Sequence, residues 1–497
     1  MIGRVLIANR GEIARRVIRT CKEMQIATVA VYSEADAGAP HVKDADAAEC
    51  IGPAPASESY LKIAAVVDAA RRSGADAVHP GYGFLSENAA FAEACEAAGL
   101  IFIGPPGAVI RRMGSKTGAR ETVSAGGVPV VPGITPATQD PASIAAAAMS
   151  LGLPVVLKAA AGGGGKGMRI VRDAAALLES VTAAKSEAER AFANGTLYVE
   201  RLIDRARHIE VQIMGDAHGH LVHLFERDCT LQRRHQKVIE EAPAPRLSPA
   251  VRARLTDAAI AAGRAVGYIN AGTVEFLLEG EGDVARFYFL EMNTRLQVEH
   301  PITEAITGLD LVRAQLIVAS GDPLPFTQAD ITSSGHAIEC RIYAEDSRRL
   351  LPQAGRLLRY REPAGPGVRV DSGVVEGQTV TVHYDPLLAK LITHAGTRDQ
   401  ALAAMTAALE TYDILGLRHN VSFLLRLLER PEVRESRAHT RFIESHLDEL
   451  SEPPADDLTR AAAAMAAFVA SRDAEPVVAS DSEAAPDPWD RIGPVDW

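Results

Sequence analysis

The chain has 497 residues, 47% of them hydrophobic and 23% charged, with a formal net charge of −12. That length calls for several domains. The acidic balance argues against non-specific nucleic-acid binding, and no apolar run reaches membrane-spanning length.

Met1–Ala8 runs straight into a strand pattern and has no signal-peptide layout. Five scattered cysteines (21, 50, 95, 229 and 340) form no C-x-x-C pair. They favour reduced thiols, a cytoplasmic setting and no cysteine-built metal site.

Arg4–Ala8 reads as a buried strand and the segment from Gly11 as the helix that follows it. Strand 26–31, helix 60–72, strand 75–78, helix 88–98 and strand 100–103 continue the alternation, which predicts a parallel α/β domain. Asn9-Arg-Gly-Glu12 is its first strand-to-helix turn and lacks G-x-G-x-x-G, so a dinucleotide site is disfavoured. His79-Pro-Gly-Tyr-Gly-Phe84 is a second turn, whose glycines are equally consistent with turn formation alone.

Lys116 opens a helical linker, and strand 153–157 ends in Lys158. Ala161-Gly-Gly-Gly-Gly-Lys-Gly-Met-Arg169 exposes backbone N–H groups without side chains, which suits close approach to a polyphosphate. It is not a Walker A loop, and a plain glycine hairpin is the competing reading. Strands are expected at 196–203, 208–213 and 221–226, with a polar, basic cluster at Gln232–Lys237 that also reads as a solvated loop. A helix follows at 248–266.

Strand 271–278 turns through 279–286 and returns antiparallel as the stretch from Phe287 to Pro301. There Glu291, Asn293, Arg295, Gln297 and Glu299 occupy every second position, so in an extended chain they share one face. A polar strand face is the bland alternative. Glu275 and Glu291 can face one space from adjacent strands, and with Asn293 they make a hard oxygen set suited to Mg²⁺ or Mn²⁺ held against phosphates. The row is expected to bend before Glu299, because a pocket around a small anion is not flat.

A helix is expected at 311–320, and a strand at 337–343 carries Arg341. Short antiparallel strands should fill 355–392, followed by helices at 398–415, 421–430, 440–450 and 461–469. Residues 451–497 hold ten acidic residues and three arginines, so −7 of the −12 lies there, with both tryptophans. Asp473–Pro488 reads as an acidic linker.

Taken together, Ile7–Ala14, His79–Asn88, Lys158–Met168, Glu226–Lys237 and Glu291–Pro301 resemble the motifs of biotin carboxylase, the ATP-grasp component of biotin-dependent carboxylases. The resemblance covers about residues 2–450 and is greatest to the biotin carboxylase part of acyl-CoA carboxylase α subunits. It implies an α/β fold (α+β overall): an N-terminal parallel domain at 1–112, an ATP-grasp domain at 113–330 with a lid at about 130–203, a C-terminal antiparallel β and helical domain at 331–450, and an acidic tail at 451–497. It implies ATP-dependent carboxylation of biotin with bicarbonate through carboxyphosphate. The alternatives are the N-terminal part of a pyruvate or urea carboxylase, or another ATP-grasp ligase.

The resemblance also assigns residues. Lys116, Lys158, Gly164, Gly165, Met168, Glu200, Arg201, Ile203, His208, Gln232, His235 and Leu277 would hold ATP. Glu275, Glu291 and Asn293 would hold two Mg²⁺ or Mn²⁺ ions. Lys237, Arg295, Gln297 and the backbone of Val298 would form the bicarbonate pocket, with Glu299 the general base and Arg341 facing the biotin ureido oxygen. Arg201 stands where many members have Lys, and the hairpin at 279–286 is long. The implied partners are a biotin carboxyl carrier protein or domain and a carboxyltransferase subunit, in a homodimer or an α/β assembly. No Ala-Met-Lys-Met biotinylation motif occurs, so the expectation is either a fragment cut before a carrier domain or a carrier on a separate chain.

Overall fold

The computed structural model describes residues 2–160, 167–192, 194–234, 236–346 and 351–451, together with 462, 464–466, 468 and 469. Gly164, Gly165 and His235 lie outside the described residues, as do the acidic linker and both tryptophans.

The N-terminal strands are β1 (Arg4–Ile7), β2 (Ala27–Ser33), β3 (Ala47–Gly52), β4 (Ala77–His79) and β5 (Ile101–Phe102). They form one parallel sheet in the order β3-β2-β1-β4-β5, with intervening helices that include Gly11–Glu23, Ile63–Arg72 and Ala89–Ala97. Val5, Leu6, Ile7 and Val29 are buried, as the continuous apolar runs predicted. β3 was not expected, since Ala-Ala-Glu-Cys-Ile-Gly is poor in β-formers and largely solvent-facing at the sheet edge. The strand order reverses between β1 and β4, so the turns Asn9–Glu12 and His79–Phe84 meet at the position where open α/β sheets gather function.

A second, antiparallel sheet contains β6 (Gly133–Ile134), β7 (Val155–Ala159), β8 (Met168–Val171) and β9 (Leu197–Arg201) in the order β6-β9-β7-β8. Helices Pro141–Leu151 and Leu177–Phe192 cover it, with Ile144, Val155, Leu157, Val181, Leu197 and Val199 in its core. The glycine-rich segment joins β7 to β8.

The third sheet uses β10 (Arg207–Gly215), β11 (Leu221–Arg233), β12 (Gln236–Ala242), β13 (Asn270–Glu279), β14 (Arg286–Asn293) and β15 (His336–Tyr343). The chain then forms β16 (Gly355–Arg356), β17 (Arg359–Arg361), β18 (Val368–Ser372), β19 (Thr379–Val380), β20 (Leu387–Ala395) and β21 (Asp413–Leu415). Eight strands run in the order β14-β13-β10-β11-β12-β15-β20-β18. One antiparallel sheet therefore joins the β13–β14 hairpin to strands as far downstream as β20. That continuity brings Arg341 to Glu299 and Lys390 to Val298, in the loop that follows the hairpin.

Three expectations are corrected. β11 continues to Arg233 and β12 starts at Gln236, so the basic cluster is a tight strand connection and not a loop. The helix from Arg398 ends at Glu410, because Asp413–Leu415 pairs as β21 with β17. Two short helices, Phe442–Ser445 and Leu447–Leu450, replace the single helix expected at 440–450. Residues 1–453 form one compact unit and 454–497 a second. In the second, Ala462, Ala464–Ala466, Phe468 and Val469 are helical, with Met465, Phe468 and Val469 exposed.

Candidate active site

The site is built on the β10-β13-β14 edge of the long sheet. Glu275 pairs with Glu291 across β13–β14 and with Glu210 across β10–β13, so three carboxylates stand in one cross-strand row. A β-bulge follows Glu275, a device that re-aims side chains beside active sites. β14 ends at Asn293, and Thr294–Glu299 leaves the sheet as a loop that enters helix His300–Thr307 at Glu299. The expected bend is present.

Lys237 lies at the centre of the cluster. Its Nζ reaches Glu275 Oε1 at 2.8 Å and Glu299 Oε1 at 2.5 Å, and also contacts Glu210. Burial opposes its charge, but Glu210, Glu275 and Glu299 outweigh that and hold the ammonium pKa well above the ordinary lysine value. Burial likewise penalises the Glu299 carboxylate, yet Lys237, Arg341 and Arg227 hold it well below the usual range. Arg341 bridges Glu240 Oε1 at 2.6 Å and Glu299 Oε2 at 3.0 Å. Both oxygens of Glu299 are thereby engaged by cations. Glu240, pushed up by burial, titrates at about 7.

Arg295 is held from outside by Glu87 Oε2 at 2.9 Å and donates to Gln297 Oε1 at 3.0 Å. Asn293 Nδ2 donates to Glu275 Oε1 at 2.8 Å, and Gln297 Nε2 reaches the same oxygen at 3.4 Å. Lys237, Arg295, Gln297, Glu299 and Arg341 are therefore joined in one network through Glu275 and Asn293, and Val298 lies between two of its members in the chain.

The nucleotide candidates lie on the facing elements. Lys158 on β7 pairs with Glu200 on β9, which also takes Arg120 at 2.7 Å. Met168 is the cross-strand partner of Lys158. Lys116 opens helix Lys116–Ala125, and burial and the nearby Lys158 pull its pKa down. Ile203 belongs to an apolar cluster with Val131 and Ala206, against which Leu277 and Tyr288 pack. The N–H groups of Arg201 and Leu202 bond to Pro132 and Pro154, while no hydrogen bond among the described residues takes that of Ile203. The Arg201 side chain turns to Glu279, 2.8 Å, and Tyr288, 3.0 Å. Gln232 is buried and pairs with Lys237 across the β11–β12 turn.

The residues fit a divalent cation. Burial and the neighbouring Glu275 charge push the Glu291 carboxyl up, a repulsion that a cation between the two would relieve. His208 Nε2 lies 3.2 Å from Glu275 Oε2; burial lowers its pKa, but Glu275 outweighs this and raises it.

Sequence reasoning missed several members. Glu210 is fully buried between Lys237 and Arg227, whose guanidinium donates to it at 2.6 Å and to Gln212, Thr273 and Thr303. Its position two residues after His208 on one strand was the available signal. Glu87 lay within a motif without an assigned task. Glu12 likewise lay within a motif without an assigned task, and Lys390 had no local signal.

The chain matches three family profiles: "Biotin carboxylase, N-terminal domain" over 1–110, "Carbamoyl-phosphate synthase L chain, ATP binding domain" over 115–327 and "Biotin carboxylase C-terminal domain" over 339–445. It is 51% identical over 451 residues to the mitochondrial methylcrotonoyl-CoA carboxylase subunit alpha of Mus musculus, covering 90% of this chain and 62% of that protein. It is 49% identical over 447 residues to the biotin carboxylase of Halalkalibacterium halodurans, covering 90% of this chain and 98% of that one. Among solved structures, a biotin carboxylase–nucleotide complex from Campylobacter jejuni superposes with a TM-score of 0.86 at 46% identity, covering 90% of this chain and 99% of that one. The biotin carboxylase domain dimer of the Hydrogenobacter thermophilus 2-oxoglutarate carboxylase, in complex with MgADP and bicarbonate, also gives 0.86, at 44% identity over 91% of this chain and all of that one. The chain thus spans about three fifths of the methylcrotonoyl-CoA relative's length and nearly all of the bacterial carboxylase's. It belongs to the biotin carboxylase family.

Proposed function

We propose that the chain catalyses ATP + bicarbonate + biotinyl carrier → ADP + phosphate + carboxybiotinyl carrier. The observation that carries this is the Lys237–Glu299–Arg341 arrangement beside the Glu275–Glu291 pair: a base between two cations, next to a carboxylate pair suited to a metal-bound nucleotide.

Bicarbonate is a weak nucleophile and must be activated by phosphorylation. Arg295 and Lys237 hold the anion, with Gln297 and the Val298 backbone completing the pocket, and Glu299 accepts its proton. The resulting oxyanion attacks the γ-phosphorus of ATP, the bond to ADP breaks, and carboxyphosphate forms. Its collapse gives CO₂ and phosphate, and the phosphate takes the biotin N1 proton. Arg341 stabilises the negative charge on the ureido oxygen while N1 attacks CO₂.

Lys116, Lys158, Met168, Glu200, Arg201, Ile203, His208, Gln232 and Leu277 line the nucleotide site in this reading. Glu275 and Glu291, with Asn293, would hold Mg²⁺ or Mn²⁺, which neutralises charge developing on the phosphates when bound.

The 51% identity to methylcrotonoyl-CoA carboxylase α subunits supports an acyl-CoA carboxylase as the parent assembly, ahead of the 2-oxoglutarate and pyruvate carboxylase domains at 42–45%. A biotin carrier, a carboxyltransferase and a second copy of the chain are the partners this implies. Five free cysteines, four of them buried, support a cytoplasmic setting. ADP release with and without bicarbonate, and with and without free biotin, tests the reading. Bicarbonate-dependent turnover stimulated by biotin is expected. ATP cleavage that responds to ammonia and ignores biotin would overturn it in favour of another ATP-grasp ligase.

A further inference from the structure

Two sequence motifs, Ile7–Ala14 and His79–Asn88, contribute only Glu87 to the pocket described above. The other residues of these motifs lead to it indirectly. Asn9 Nδ2 donates to the carbonyls of Pro80 at 2.8 Å and Tyr82 at 2.7 Å, locking the two turns at the β1–β4 switch point. Glu12, at the start of helix Gly11–Glu23, takes the Tyr82 hydroxyl and reaches Lys390 Nζ on β20 at 3.2 Å.

Lys390 is fully buried, and it stands directly opposite Arg341 in the β15–β20 register. Two buried cations side by side repel, and a lysine serving packing alone would be better replaced by an apolar residue. Its compensating charges are Glu12 and, at 4.0 Å, Asp371, its partner in the β18–β20 register. The same ammonium donates to the carbonyl of Val298 at 2.9 Å.

That carbonyl belongs to the turn between Gln297 and Glu299. The peptide on the other side of Val298 is pinned as well, because His300 Nδ1 lies 2.8 Å from the Gln297 carbonyl. Burial and the nearby Lys390 hold the His300 pKa well below the ordinary histidine value, so its ring is neutral. With Nδ1 protonated, the ring donates to that oxygen. Both peptide planes flanking Val298 are thereby fixed, while no hydrogen bond among the described residues takes the Val298 N–H.

We propose that Lys390 is a positioning residue for the bicarbonate pocket: clamped by Glu12 and Asp371, it holds the Val298 carbonyl so that the Val298 N–H and the Glu299 carboxylate face the same anion. The proposal rests on the biotin carboxylase reading above. It gives the two N-terminal motifs a task, since they anchor Glu12, and Glu12 anchors Lys390.

The test is steady-state ADP release by the full chain with bicarbonate and ATP varied separately. Lys390→Met removes the charge at similar volume. It should raise KM for bicarbonate tenfold or more, in keeping with the loss of about one charged hydrogen bond, while KM for ATP changes by less than about twofold. Glu12→Gln keeps the buried shape and loosens the clamp, and should raise KM for bicarbonate about two- to fivefold. A purely structural lysine would lower melting temperature and leave KM for bicarbonate unmoved in the folded fraction. That outcome in Lys390→Met, or in Glu12→Gln if the first variant does not fold, overturns the proposal. Wild-type protein with no bicarbonate-dependent turnover would overturn the biotin carboxylase reading instead, so the two failures are told apart.

Discussion

Glu299 Oε1 lies 2.5 Å from Lys237 Nζ, and the same carboxylate meets Arg341 through Oε2 at 3.0 Å. Such pairing keeps Glu299 ionised and suppresses its basicity. In the reaction proposed above, an incoming anion that draws Lys237 away would restore the basicity of Glu299, which would couple bicarbonate binding to base activation. Glu299→Gln should lower bicarbonate-dependent kcat on the order of 10²-fold or more, with nucleotide affinity within about threefold of wild type. Titration with a fluorescent nucleotide and a coupled ADP assay measure both. Full turnover in the variant would remove Glu299 from the role of base.

Arg341 connects Glu299 to Glu240, and both carboxylates are fully buried. Arg341→Ala leaves Glu240 without its counter-ion and Glu299 with Lys237 alone, so a stability loss of about 3–5 kcal/mol accompanies any catalytic effect. Carboxylation of free biotin should fall about tenfold further than bicarbonate-dependent ATP cleavage in the absence of biotin, since only the first needs the ureido charge stabilised. Equal losses in the two assays would deny Arg341 its contact with biotin.

Burial and the adjacent Glu275 raise the Glu291 carboxyl pKa. Glu291→Gln removes the repulsion and with it a proposed ligand. Apparent Mg²⁺ affinity, read from ADP release at fixed ATP, should weaken about tenfold or more, and the variant without Mg²⁺ should be at least as thermostable as wild type. A variant with unchanged Mg²⁺ dependence would show that the cation is held elsewhere.

His79 is fully buried, and its Nδ1 accepts the Gly81 N–H at 3.0 Å while Nε2 faces Gln315 Oε1 at 3.3 Å. This arrangement requires a neutral ring, and burial lowers its pKa from 6.5 to about 4. A depressed folded-state pKa stabilises above 6.5, and that stability is lost as pH falls towards 4. The contribution lost by pH 5 is about 2 kcal/mol. Denaturant unfolding of wild type and His79→Gln at pH 7.5 and 5 should show the gap between them narrowing by about that amount. A constant gap would mean that His79 does not titrate in this window.

The division between legible and illegible residues follows the range of the interactions. Glu275 and Glu291 were readable as a facing pair because a hairpin and a period of two are local properties. The bend before Glu299 was readable from the chemistry of the row. Apart from the family resemblance, Lys237 was visible only as part of a basic cluster that also reads as a solvated loop. Two register shifts between β11 and β12 accompany its placement against Glu210, Glu275 and Glu299. Lys390 carries no local mark, and Glu210 only its spacing from His208, because their charges are tolerated only by partners on other elements.

By itself, the sequence determined the alternation of helix and strand, the glycine-rich connection and the polar row from Glu291 to Glu299, all properties of short windows with a fixed period. Its motifs, taken together, carried the family resemblance and the residue roles that follow from it. Only the tertiary structure decided which cations meet which carboxylates. One sheet brings Lys237, Arg341 and Lys390 to the hairpin and the loop after it across 38, 42 and 92 residues of chain, and Glu12 reaches Lys390 from the opposite end of the chain. Burial then sets the stakes: inside the protein a charge is stable only beside its partner, and no local window contains that partner.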